Sequence, residues 1–300
     1  MSSTRRRLGT LVRMAWDIEG RNVLITGGNS GIGKATATEL SRRGATVTIT
    51  SRDRDRGERA AAQISEETAA EVDVIELELS EPPSVRSAAL DYLDRHEHLD
   101  VLINNAGGIF GSRTLTSHGD ELTFATNHLG PFALTKLLMP GLLTPETSRV
   151  INVGSSGHGF AKEGIRFDDI TFASKYSSTA AYGQSKLANI LHARELDRRH
   201  RSQGVHAYAV HPGLVKTRIG RDGDSLLTTI VWGLRSPWLL SPEEGADTIV
   251  WLACEPVAPE PYGGYFEKRA EARSARKARD NEEAERLWEF SEARFTDWYA

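Results

Sequence analysis

Between residues 22 and 211, short β-branched runs alternate with helical patterns of a dozen or more residues, and this rhythm constrains the fold more than any other feature of the chain. Residues 22–26, 45–50, 72–79, 100–104, 149–153 and 205–211 read as strands. Residues 31–43, 53–66, 82–96, 119–138 and 179–199 read as helices. Gly44 stands where a helix C-cap needs glycine, and Pro82 and Pro83 stand where a helix start loses least by lacking N–H groups. Strands alternating with helices predict an α/β fold: one doubly wound parallel sheet, helices on both faces, right-handed crossovers. No repeat and no Gly/Ser- or Pro-rich linker divides the chain. The expected organisation is a tail over 1–19, one domain over 20–266 and a C-terminal segment over 267–300. In that last segment Leu287, Trp288, Phe290, Phe295 and Trp298 recur at spacings of three and four, which predicts a helix docked on the body.

Apolar residues are 39% of the 300 residues, enough for a buried core and too many for a disordered chain. A net charge of -4 argues against a nucleic-acid partner. Cys254 is the one cysteine, so no intrachain disulfide or cysteine metal cluster can form, and a reduced, cytoplasmic setting is expected. No histidine spacing suits a metal; His96 and His98 lie in a charged helix end. No run approaches the ~20 apolar residues of a transmembrane helix. Arg5, Arg6 and Arg7 precede Leu8, Leu11, Val12 and Trp16, which reads either as a membrane-surface or transit segment, or as a basic tail packing Trp16 on the domain.

The chemistry begins after the first strand. Gly27, Gly28, Asn29, Ser30, Gly31, Ile32 and Gly33 join it to the first helix. Small residues there permit a tight turn and close approach of a pyrophosphate, and the helix start offers unpaired N–H groups. The Gly-x-x-x-Gly-x-Gly spacing resembles that of the short-chain dehydrogenase/reductase family, which implies a single Rossmann-type domain binding a nicotinamide cofactor. An NAD site has an acid at the end of the second strand to bind the ribose 2′-OH. Here that place holds Ser51, followed by Arg52. A guanidinium can pair with a 2′-phosphate, so NADP(H) is the expected cofactor, with Asp53 as a competing partner for Arg52. The family resemblance also implies cofactor contacts for Glu78 and Leu79 after the third strand, for Asn105, Ala106 and Gly107 after the fourth, and for Pro212, Gly213, Val215 and Thr217 after the sixth.

Tyr182 and Lys186 are four apart, hence on one helix face. An ammonium near a phenol stabilises phenolate and is expected to lower its pKa. The resemblance implies that Tyr182 is the acid/base, Ser155 holds the substrate oxygen, Lys186 holds the nicotinamide ribose and Asn127 bends its helix and anchors a proton-relay water. Ser156 is the second choice for the serine, because Gly154 stands where relatives often carry serine. The Tyr182–Leu191 helix and the 27-residue step from Ser155 to Tyr182 resemble the retinol dehydrogenase-like branch. The expected function is interconversion of a carbonyl and an alcohol. Leu226, Leu227, Ile230, Val231, Trp232, Leu234, Trp238, Leu239 and Leu240 either line a site for an apolar retinoid-, steroid- or long-chain-like substrate or pack a flap on the body. The other readings are a non-catalytic NADP(H)-binding redox sensor and a nucleotide-sugar epimerase or dehydratase. Family members commonly form homo-oligomers.

Overall fold

The computed structural model describes residues 16–215 and 239–300. Eight strands form one sheet in the order β3-β2-β1-β4-β5-β6-β7-β8. They are β1 (Asn22–Ile25), β2 (Thr46–Ser51), β3 (Val72–Glu76), β4 (Val101–Asn104), β5 (Ser148–Val153), β6 (Val205–Val210), β7 (Tyr265–Glu267) and β8 (Ala270–Glu271). All pair in parallel except β7 with β8. Around them pack α1 (Gly31–Arg42), α2 (Arg54–Thr68), α3 (Pro82–Arg95), α4 (Leu122–Phe124), α5 (Gly130–Leu142), α6 (Ser178–His200), α7 (Pro242–Cys254) and α8 (Asn281–Tyr299).

Side chains alternate across the pleat, so each central strand feeds two cores. Leu24, Leu102, Val150 and Ala207 point to the core built with α3, α5, α6 and α8. Val23, Ile25, Val101, Ile103, Ile151 and Tyr208 point to the core built with α1, α2 and α7. Strands buried on both faces need near-continuous apolar runs, which is what β1 and β4 supply. Trp16 closes the second core: its indole N–H donates to the Ala253 carbonyl at 2.8 Å, and Arg21 and Arg149 stack on its ring at 4.0 and 4.1 Å.

Three elements depart from the sequence reading. The third strand stops at Glu76, though Leu77 and Leu79 continue into the first core. The helix expected over 119–138 is built from α4, a π-turn over Ala125–Leu129 and α5. Pro131 explains the break, because it lacks the N–H that an unbroken α-helix would donate to the Asn127 carbonyl. Downstream, β7, β8 and α7 had no counterpart in the expected elements, although Ser241, Pro242 and Glu244 give α7 a capping box with proline in its first turn. The strand order reverses between β1 and β4, so a crevice opens at the carboxyl ends of these strands.

Candidate active site

The turn after β1 is a fitted cradle. Gly27 and Gly31 have φ of +67° and +54°, which other residues rarely adopt. A Cβ at Gly28 would lie 2.5 Å from Ile49 Cγ2, and one at Gly33 would lie 2.5 Å from Asn105 Nδ2. Thr26 Oγ1 accepts the N–H groups of Asn105 and Ala106 at 3.0 and 2.9 Å, while Asn105 Nδ2 donates to the Thr26 carbonyl at 2.8 Å. The loops after β1 and β4 are thereby locked together. Ser30 is the N-cap of α1 but makes no side-chain cap, and the first turn carries no acid. The N–H groups of such a helix start, with no acid in its own first turn, suit a pyrophosphate. Asn29 is half-buried, and Ile32 is buried where Val215 packs against Gly245. This contact brings the loop after β6, including Pro212 and Gly213, to the start of α1.

At the end of β2, Ser51 is buried and its hydroxyl donates to the Asp53 carbonyl at 2.7 Å. Arg52 is exposed, with a guanidinium nitrogen 3.8 Å from Glu78 Oε2. Asp53, the suspected competitor, is turned to its own helix: it accepts the Arg56 N–H at 2.9 Å and pairs with the Arg56 guanidinium at 3.3 Å. Glu78 is the residue that meets Arg52, with its other oxygen held by the Ser80 hydroxyl at 2.8 Å. The Leu79 side chain is buried in the first core, where a Cβ on Gly130 would lie 2.9 Å from its Cβ. Thr217 and the apolar flap residues from Leu226 to Trp238 lie outside the described residues.

Ser155, Tyr182, Lys186 and Asn127 converge where β4, β5 and α6 meet. Ser155 follows β5; its Oγ accepts the Gly157 N–H at 3.0 Å and meets the Tyr182 phenol. Ser156 is exposed on the turn, so Ser155 is the serine in the crevice. Lys186 is buried and donates from Nζ to the Val153 carbonyl at 2.9 Å, lying 5.7 Å from the Tyr182 ring centroid. Burial lowers its pKa to about 8. The Tyr182 phenol moves the opposite way from expectation. Burial raises its pKa and the Ser155 hydrogen bond only partly offsets this. The desolvation of the phenolate outweighs an ammonium that is itself spent on a backbone carbonyl.

Asn127 sits on the π-turn, fully buried. Its Oδ1 accepts the Gly108 N–H at 2.8 Å, and its Nδ2 donates to the Gly108 carbonyl at 2.8 Å and to Ser185 Oγ at 2.9 Å. The Ser185 hydroxyl donates in turn to the Tyr182 carbonyl at 2.8 Å. A Cβ on Gly107 would lie 3.0 Å from Asn127 Oδ1 and 3.5 Å from Lys186 Nζ, so the β4 loop, the π-turn and α6 share one point.

The short chain dehydrogenase family profile matches residues 21–225. Retinol dehydrogenase 12 of Mus musculus is 43% identical over 275 residues, 91% of this chain and 86% of that relative. The chain belongs to the short-chain dehydrogenase family. Retinol dehydrogenase 14 of Mus musculus is 39% identical over 292 residues, 92% of this chain and 86% of that relative. An uncharacterised protein from Mycobacterium paratuberculosis, solved by crystallography, has a TM-score of 0.74 at 36% identity, with 94% of this chain and 96% of that chain covered. Carbonyl reductase from chicken fatty liver, solved with NADPH bound, has a TM-score of 0.65 at 22% identity over 85% of this chain and 99% of that one, a likeness of fold. The chain is thus a retinol dehydrogenase-like oxidoreductase of the alcohol/carbonyl class that uses a nicotinamide cofactor. Among the described residues, no helix is long and apolar enough to cross a membrane, and no cluster of three or more acidic, histidine or cysteine residues could hold a metal.

Sequence reasoning missed several residues that build this short-chain dehydrogenase site. Gly157 lets the serine turn lie on the tyrosine: a Cβ there would be 2.9 Å from Tyr182 Cε1. Glu121 caps α4 through the Thr123 and Phe124 N–H groups at 3.0 and 2.9 Å, which launches the π-turn. Tyr176, from the insert before α6, donates to the Phe110 carbonyl at 2.9 Å and ties that insert to the β4 loop. Glu121 follows a turn signal and precedes an apolar run, a detectable cap; the other two contacts join residues distant in sequence.

Proposed function

We propose that this protein is an NADP(H)-dependent reductase or dehydrogenase of an apolar carbonyl/alcohol pair, with Tyr182 as acid/base. The observation that carries the reading is the Ser155 hydroxyl set against the Tyr182 phenol. The Gly157 N–H takes one of the hydroxyl's two lone pairs and fixes the oxygen beside the phenol, where its own proton can turn to a substrate oxygen. A bound nicotinamide supplies or accepts the hydride at the carbon. Ser155 donates to the carbonyl oxygen as charge develops there, the kind of interaction that strengthens toward the transition state. Tyr182 delivers the proton; a phenol held protonated by burial suits the reductive direction at neutral pH. Lys186 binds the ribose and keeps a positive charge beneath the phenol below pH 8 or so, given its pKa of about 8. Asn127 fixes the Gly108 backbone and, through Ser185, the Tyr182 peptide. Its carbonyl, which Pro131 cannot serve as the α-helical donor, is the acceptor for a relay water.

The NADP(H) preference rests on Arg52 standing exposed after Ser51, where an NAD site has an acid, with Asp53 engaged elsewhere. A 2′-phosphate held there would share Arg52 with Glu78. The apolar substrate class rests on Phe160 and Leu214, 56% and 48% exposed on the loops after β5 and β6, and on curated relatives named retinol dehydrogenases. The test is NADPH and NADH oxidation followed by absorbance with apolar and polar aldehydes and ketones. NADPH turnover with apolar carbonyls is expected, lost by at least ~100-fold in Tyr182→Phe with NADPH binding retained. Arg52→Ala should raise the KM for NADPH about tenfold or more and leave that for NADH nearly unchanged. Equal use of NADH would overturn the cofactor reading. Tight NADPH binding without turnover would instead make the chain a redox sensor.

A further inference from the structure

We propose that His158 is a positioning residue that fastens the Ser155 turn to the C-terminal segment, so that this segment sets the geometry of proton transfer. The inference rests on the reading of Ser155 and Tyr182 as the reacting pair. His158 is 5% exposed in the short 3-10 turn that follows Ser155. Its Nδ1 lies 2.6 Å from the Ser155 carbonyl, and its backbone N–H donates to the same oxygen at 3.1 Å. On the other side of the ring, the Ala275 N–H donates to Nε2 at 3.0 Å, across 117 residues of sequence.

The two contacts fix one state of the ring. A backbone N–H can only donate, so Nε2 must be bare, and the single imidazole proton must then sit on Nδ1, where it donates to Ser155. An imidazolium would set an N–H against the Ala275 N–H. Burial favours the neutral ring, since it lowers the His158 pKa. Tyr265 of β7 packs edge-on against the ring with centroids 5.1 Å apart, holding its plane. A core position that needed bulk alone would take phenylalanine; here both ring nitrogens are spent on backbone groups of two distant segments. Ala275 lies between β8 and α8, on the stretch that leads α8 to the body, and its carbonyl accepts the Ala278 N–H at 3.1 Å. His158 therefore joins the serine turn to a part of the chain that contributes no reacting group.

The test is a double-mutant cycle. His158→Phe removes both bonds and keeps the ring volume. Ala275→Pro removes only the donor and leaves the histidine. His158→Gln can still donate to one side and accept from the other. With NADPH saturating, His158→Phe and Ala275→Pro should each lower kcat about tenfold, leave the KM for NADPH within about twofold, and combine without further loss. His158→Gln should recover most of the rate. Hydrogen exchange of the Gly157 and His158 amides, read by mass spectrometry, should quicken equally in the two damaging variants. Additive losses, or unchanged exchange, or loss of NADPH binding in step with kcat, would overturn the proposal. If the parent protein turns over no carbonyl, the enzyme reading fails, and the exchange measurement alone still decides whether His158 fixes the turn.

Discussion

Lys186 is 4% exposed and carries opposed demands, because the charge proposed to serve the phenol is costly where it sits. Its folded pKa of about 8 lies below the ordinary 10.5. Between those values the unfolded chain binds the extra proton, so stability rises with pH across that window. The penalty is therefore present in full below pH 8 and is relieved as pH climbs toward 10.5. At ~1.4 kcal/mol per pKa unit it amounts to at most about 3.5 kcal/mol. Lys186→Met should accordingly lower turnover by at least ~100-fold and yet raise the thermal midpoint at pH 7. The gain should shrink as the melt is repeated at pH 9 and 10. The Val153 carbonyl keeps a donor in Asn189 Nδ2 at 3.2 Å, so the variant leaves no acceptor stranded. A variant less stable than the parent at pH 7 would mean that the Val153 hydrogen bond outweighs the desolvation. Tyr182 shows the same physics: its low-pKa reading, drawn from spacing alone, ignored burial, which spacing cannot report.

Around the site, α8 is the element that touches most of the supports. Ser291 meets His128 Nε2 of the π-turn at 2.8 Å, Glu283 accepts the Ile165 N–H of the insert at 2.6 Å, and Arg294 and Trp298 bond Asp120 at 2.7 and 2.9 Å just before the Glu121 cap. Gly164, at φ +90°, lies against the Glu283 carboxylate with no room for a Cβ. Gly164→Ala should thus cost about 2–4 kcal/mol, from backbone strain plus displacement of a buried carboxylate, read as a shift of the urea midpoint with the slope unchanged. A loss below ~0.5 kcal/mol would show that the Glu283 contact is easily given up. The amphipathic spacing of α8 was legible from Leu287 to Trp298, and the strands from β1 to β6 were legible from β-branched runs and Gly/Asn turns. The π-turn was legible only as the bend that the family resemblance implies at Asn127; the helical pattern itself hides it, because its cause is one proline inside an otherwise regular spacing. β7 was not legible, since its three residues pair only because β6 lies beside them. At the site, Tyr182, Lys186 and the glycine turn were legible as local patterns. Gly157, His158 and Tyr176 were not, since each acts on a partner that only the fold brings near.

Over the whole molecule, the histidines set the response to acid. Burial lowers the pKa of His96, His128, His158, His192, His200, His206 and His211, and that of His192 to about 3. A folded pKa below the unfolded 6.5 means that the unfolded chain takes up protons first, so stability is lost as pH falls through 6.5 toward the folded value. Each fully buried ring contributes up to about 1.4 kcal/mol per pH unit in that window. Asp197 opposes this, because its carboxyl is pushed up to about 6 and stabilises the fold more in acid. Seven rings against one carboxyl leave a net loss. His128 and His192 lie 5.9 Å apart, and His192 lies 5.9 Å from Trp288, under the face that α8 covers. Protonating them charges the seam between α8 and the body. The thermal midpoint should therefore drop steeply from pH 6.5 to 5, with α8 amides losing exchange protection first. His192→Gln keeps an acceptor for Asn152 but cannot take up a proton, and it should flatten that limb by about 1 kcal/mol per pH unit. An unaltered limb in His192→Gln would mean that His192 is already wet, and that the acid sensitivity arises away from α8.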